Sequence, residues 1–133
     1  MDLSTWITHT ETQMASLPSA AERAWAWAHL AHSLALADLA AAPPGHTTDA
    51  IWVEPAMAWT LDDLTDSGVP GRALDLPPIK PTDEHGALAA CLGRLISTLA
   101  EDDPLAPLPV VDACATAAGR ASVAFARLTG TLP

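Results

Sequence analysis

The feature that most constrains the fold is the run at residues 19–42, which contains neither proline nor glycine. Read at about 100° per residue, it places large residues on two opposite sides of one helix. One stripe comprises Trp25, His29, His32, Leu36 and Leu39, and the other comprises Trp27, Leu30, Leu34 and Ala41. A helix with two such stripes is usually packed on both sides, because either stripe would otherwise leave apolar area in water. We therefore expect an all-α, compact bundle of four to five helices around this central apolar helix.

Both ends of this helix are marked in the sequence. Ser19 and Glu22 have the spacing of a capping box, in which each residue satisfies an amide at the start of the helix. Pro43, Pro44 and Gly45 follow the last turn and cannot continue it. The sequence predicts a helix that begins just after Ser19 and ends near residue 42.

Four further helices are predicted from periodic apolar residues and from breakers: at residues 3–16, from Pro55 to residue 66, at 82–100 and at 111–128. The segment before Pro55 is expected to be an apolar plug in a loop, with Trp52 packed back onto the bundle. A proline-rich connector should cover residues 69–81. Gly93, inside the fourth helix, suggests close approach by small residues of the last helix. At 133 residues the chain is expected to form a single domain.

The net charge of −10 argues against nucleic acids and anionic membranes as partners. Nucleic acids and anionic membranes are bound through Lys and Arg, and Lys80 is the only lysine. We therefore expect no direct nucleic-acid binding. We also expect no membrane insertion, because the longest apolar run contains the polar residues His29, His32, Ser33 and Asp38. The N-terminus lacks a basic signal-peptide region, so a cytoplasmic protein is expected. The alanine-rich composition is typical of a GC-rich bacterial or phage genome.

The cysteines and histidines are the candidates for chemistry. Cys91 and Cys114 fall at inward helical positions and are interpreted as small buried residues, with a disulfide or a reactive thiol as alternatives. His29 and His32, three residues apart, are the pair with metal-ligand spacing, and His85 could join them. No Glu precedes His29 or His85 at the Glu-x-x-His spacing, so no cofactor is expected. A metal-dependent helical-bundle enzyme remains the alternative.

Three arginines form a weaker candidate site. Arg120 and Arg127 lie seven residues apart on the last helix and share a face that Arg94 could join. They are expected to cover apolar surface, or else to contact an anion or an acidic partner.

The tryptophans are interpreted as residues that fill the core, with a protein interface as the alternative. All five precede residue 60, and the chain has one phenylalanine and no tyrosine. Tryptophan is enriched where proteins dock, and the central helix offers much apolar surface. The predicted interface comprises Trp25, Trp27, Leu30, Leu34 and Trp52. The sequence thus favours a non-enzymatic, acidic interaction or assembly protein that binds itself, as a homo-oligomer, or one protein partner. A second alternative is an acidic mimic of nucleic acid that blocks a nucleic-acid-binding protein.

Overall fold

The computed structural model describes residues 1–45 and 48–130, and in these ranges the chain is all-α without a strand. The predicted helical bundle is confirmed. Its five helices are α1 (Leu3–Met14), α2 (Ala20–Ala41), α3 (Ala50–Asp66), α4 (Glu84–Leu99) and α5 (Leu108–Leu128). A single 3₁₀ turn at Pro81–Asp83 leads into α4.

Helices α2 to α5 form a four-helix bundle. α2 packs against α3 and α4, and α5 packs against the same two helices from the opposite side. Short connections join α2 to α3 and α4 to α5, which makes two antiparallel hairpins. The hairpins are joined by the connector, residues 69–80, which carries the chain diagonally from the end of α3 to the start of α4. This is a bundle with one long crossover connection.

Helix α1 and the connector cover the outer side of α2 and α4. The Trp6 Nε1 donates a hydrogen bond to the Pro77 carbonyl at 3.1 Å, which ties α1 to the connector. Arg94 on α4 pairs with Glu11 on α1 at 3.1 Å. Trp6 is 2% exposed, so its ring belongs to the core although α1 lies outside the four-helix ring.

The inward stripe of α2 consists of alanines. Their 4, 3, 4 spacing places them on one face, and each is fully buried: Ala24, Ala28, Ala31 and Ala35. Small side chains let neighbouring helices approach closely, and the two predicted stripes of larger residues flank this alanine stripe. The large fully buried side chains come mainly from the facing helices α3 and α4: Val53, Met57, Leu64, Leu88, Leu92 and Leu95.

Local signals set the ends of the helices. The Ser19 Oγ accepts the Glu22 amide at 3.2 Å, as predicted for the start of α2. Gly68 adopts φ = 100° after α3. The Gly68 amide bonds the Thr65 carbonyl and the Val69 amide bonds the Leu64 carbonyl, both at 3.0 Å. These two bonds form a Schellman cap, for which glycine is favoured because it carries no Cβ.

The predicted start of α3 was wrong. The helix begins at Ala50, so the segment expected to be an apolar plug is the first turn of α3. The Thr48 Oγ1 accepts the Ala50 amide at 2.9 Å, which satisfies the first amide of the helix ahead of Pro55. Burial of Val53 holds this turn against the core. Pro55 therefore lies inside the helix, where its ring leaves the Ile51 carbonyl without the usual amide partner.

The expectation of close approach at Gly93 was also wrong. A Cβ on Gly93 would lie 3.9 Å from the Phe125 Cε2, an ordinary van der Waals distance. The crowded glycine of α4 is Gly86, whose Cβ would lie 2.8 Å from the Leu3 Cδ2 of α1. Small residues of α5 do fill the interior, since Ala117 and Ala121 are fully buried.

Candidate interaction surface

The outer face of α3 is apolar and open to solvent over its first three turns. Ile51 is 51% exposed, Trp52 is 49% exposed and Trp59 is 61% exposed. The two tryptophans are seven residues apart, so they lie on the same side of the helix about 10.5 Å apart along its axis. Large aromatic side chains are rarely left so open on an isolated domain, and such patches mark interaction sites.

An arginine of α5 lies over each of these indoles. The Arg127 Cζ is 4.0 Å from the centre of the Trp52 ring, and the Arg120 Cζ is 5.7 Å from the centre of the Trp59 ring. The two pairs repeat because α3 and α5 are antiparallel and both residue types recur at a seven-residue spacing. We call the surface formed by these four residues and Ile51 the Trp–Arg face.

The two arginines differ in their electrostatic environment. The Arg120 Nη2 pairs with the Asp63 Oδ2 at 2.9 Å, and its Nη1 donates to the Thr60 Oγ1 at 3.3 Å. These bonds fix the guanidinium beside Trp59 and neutralise its charge. Among the described residues, Arg127 forms no ion pair, so its attraction to Trp52 leaves a positive charge available at one end of the face.

A cation–π contact of this kind restricts the conformations of both side chains, the arginine and the tryptophan. Each contact stabilises the pair by about 0.5–1 kcal/mol at an exposed site. A tryptophan whose rotamer is held before binding loses less conformational entropy when a partner covers it. The two indoles of the Trp–Arg face are therefore held in place by contacts within the chain.

The predicted interface on α2 is covered by the chain itself. Trp27 is 4% exposed, which corrects the expectation that its side of the helix faces a partner. Leu30 and Leu34 are half-buried beside the connector. Trp25 stacks on His29 with ring centres 5.2 Å apart, and its Nε1 donates to the Thr65 Oγ1 at 3.1 Å. Of the five predicted interface residues, Trp52 is the one whose side chain is exposed.

The exposed Trp59 was absent from the predicted interface, although the sequence contains a signal for it. Met57 and Leu64 are buried on the inner side of α3, and Leu61 packs against the same core. Position 59 lies about 200° around the helix from position 57, so it had to point outward.

The predicted metal ligands are not assembled into a site. The structure groups no three His, Cys, Asp or Glu side chains suitable for a metal in residues 1–45 and 48–130. The His32 Nε2 bonds the Glu54 Oε1 at 3.1 Å, while His85 is exposed at the start of α4. Burial, and to a lesser degree the nearby His32, lower the pKa of His29. This environment favours a neutral imidazole stacked on Trp25.

The remaining candidate residues lie apart. Arg94 pairs with Glu11 on the α1 side of the bundle, so it does not join the other two arginines. Cys91 and Cys114 are free thiols, Cys91 buried and Cys114 half-buried, so the alternative of a disulfide between them is not formed. Burial raises the pKa of Cys91 to about 12 and also raises that of Cys114, which disfavours the reactive thiolate.

Comparison with known proteins provides no template for this surface. No protein-family model, no curated protein and no solved structure matches the chain. In the described part of the chain, every helix is too short or too polar to cross a lipid bilayer.

Proposed function

We propose that this chain is a non-enzymatic assembly protein that forms a homodimer through the Trp–Arg face. The observation that carries the proposal is the pair of exposed indoles, Trp52 and Trp59, each held under an arginine on one side of the bundle. Trp and Arg are the residues that most often dominate the binding energy of protein interfaces.

The spacing of the tryptophans suits a two-fold axis. With the axis beside Pro55, midway between them, two α3 helices cross antiparallel and Trp52 of one copy meets Trp59 of the other. Such an interface uses the same surface twice and closes as a dimer. Covering about 800 Å² per copy would give an interface of standard size, against 7081 Å² of accessible surface for the whole chain.

Charge supports the same pairing. Asp62 is exposed one turn beyond Trp59 and forms no ion pair in the described part of the chain. Along the helix axis, the proposed two-fold arrangement would place it about one helical turn from Arg127 of the other copy. The end of the face with free positive charge thus meets the end with free negative charge.

Sedimentation equilibrium over a range of concentrations tests the proposal. The wild type is expected at twice the monomer mass of 13.8 kDa. Trp59→Ala should raise the dimer dissociation constant at least 30-fold, because a tryptophan hot spot contributes about 2 kcal/mol or more. Leu105→Ala is the matched control, since Leu105 is 91% exposed in the connection between α4 and α5 and its loss should leave the dimer intact.

A charge exchange tests the orientation of the two copies. Arg127→Asp should weaken the dimer, and adding Asp62→Arg to the same chain should restore it. A wild type that remains monomeric at millimolar concentration would refute the dimer. A dimer that survives Trp59→Ala, or is not restored by the exchange, would refute this face or this orientation.

A further inference from the structure

A second apolar surface lies at the end of the bundle where α4 leads into α5. Leu105 is 91% exposed, Leu108 is 71% exposed and Val111 is 45% exposed. The spacing of Leu108, Val111 and Ala115 puts them on one face of the first two turns of α5. None of these residues belongs to the Trp–Arg face, so the proposed dimer would leave this end open.

A groove runs beside these residues. A cleft of about 190 Å³ is lined by apolar side chains from the first turn of α2, the end of α4 and the start of α5, including Ala20, Leu99, Val110 and Cys114. A neighbouring cleft of about 410 Å³ continues toward the end of α3. The two clefts share the walls Ala21, Asp103, Ala106 and Val110. We call the two together the end groove.

The rim of the end groove is negative. Its carboxylates are Glu22, Glu101, Asp102 and Asp103, and Asp112 lies next to Val111. Arg23 neutralises Glu101 at 2.9 Å. Within residues 1–45 and 48–130, Asp102, Asp103 and Asp112 form no ion pair. An occupant must therefore supply both apolar side chains and positive charge.

We propose that the end groove binds a basic amphipathic helix of a partner protein. The apolar face of such a helix would cover Leu105, Leu108 and the cleft, while its Lys and Arg residues would meet the rim. The unpaired carboxylates would also speed the encounter with a cationic segment.

A second copy of this chain cannot be that occupant. The chain contains six Lys and Arg residues, and the two that share a helix, Arg120 and Arg127, are two turns apart. Among the five helices described, none combines an apolar face with more than two cations. The occupant must come from a different protein.

Fluorescence anisotropy with a labelled synthetic peptide tests this inference on the full chain. The peptide is built from Lys and Leu, with leucines at i, i+3, i+4 and i+7. It should bind at least tenfold more tightly than a peptide of equal charge in which serines replace the leucines. The replacement Leu108→Ser should weaken binding at least tenfold, and exchanging Asp102, Asp103 and Asp112 for Asn should flatten its salt dependence.

The controls separate the groove from general charge attraction and from the proposed dimer. Trp59→Ala should leave peptide binding unchanged, whether or not the protein dimerises. Circular dichroism of each variant verifies folding, which exposed positions such as Leu105 and Leu108 should not disturb. Equal binding of the serine peptide, or wild-type affinity in a Leu105→Ser and Leu108→Ser double variant, would overturn the inference.

Discussion

Replacing Gly71 with alanine should test how tightly the connector is packed on α2. Gly71 crosses the indole of Trp25, and an added Cβ would lie 2.5, 2.8 and 2.9 Å from the ring atoms Cζ2, Cε2 and Cη2. Carbon atoms pack best at about 3.5–4.0 Å, so about 1 Å of space is missing at three positions. Gly71 is not among the glycines with positive φ, so alanine causes no backbone strain there and the steric clash is what opposes it.

Neither the indole nor the connector can easily move away from an added Cβ. The indole is held by its stack on His29 and by its hydrogen bond to Thr65. The connector is held by its bond to Trp6 and by the half-buried Leu74, Leu76 and Ile79. Overpacking of this kind costs about 1–3 kcal/mol.

Urea unfolding followed by circular dichroism measures the effect of Gly71→Ala. With a slope of about 2 kcal/mol per molar urea, the midpoint should fall by about 0.5–1.5 M. Gly119→Ala is the matched control, because no heavy atom lies within 4 Å of the new Cβ on α5. That control should gain up to about 1 kcal/mol from helix propensity. A midpoint for Gly71→Ala at or above that of the wild type would show that the connector is not packed as described.

Three further outcomes are expected. Gly93→Ala should raise the free energy of unfolding by up to about 1 kcal/mol in the same urea assay, because α4 gains helix propensity and Phe125 leaves room; a loss would indicate hidden crowding. Because the pKa of His29 in the folded chain is lowered from 6.5, the unfolded chain binds a proton at this histidine at a higher pH than the folded chain does. Stability should therefore decline as pH falls below about 6.5, and His29→Gln should flatten that slope. In a thiol-reagent assay at about pH 8, Cys91 should stay unmodified until the protein unfolds, whereas the half-buried Cys114 should react slowly in the native state; rapid modification of both would contradict their burial.

The number and order of the helices could be predicted from sequence because breakers and apolar periodicity are local signals. Ser19, Pro43 and Gly68 act within a few residues of the ends that they set. The start of α3 depended in addition on a long-range contact, since burial of Val53 holds the turn ahead of Pro55 against the core.

The candidate surface was harder to predict because exposure is decided by the neighbours of a residue. Trp27 and Trp52 are the same residue type on two amphipathic helices, yet one is 4% exposed and the other 49%. What separates them is the placement of α1 and the connector, which cover the outer side of α2 and leave α3 open. The periodicity of α2 cannot reveal which of its sides receives that cover.

The connector also makes the protein divisible. Arg72 is exposed in the middle of this segment, where trypsin could cut after it. Cleavage there would leave one fragment with α1 to α3 and another with α4 and α5, each retaining an antiparallel hairpin. Because α2 packs on α4 and α3 packs on α5, the fragments would remain complementary along two sides. Their reassociation would turn folding into a bimolecular reaction, with a midpoint that rises with fragment concentration.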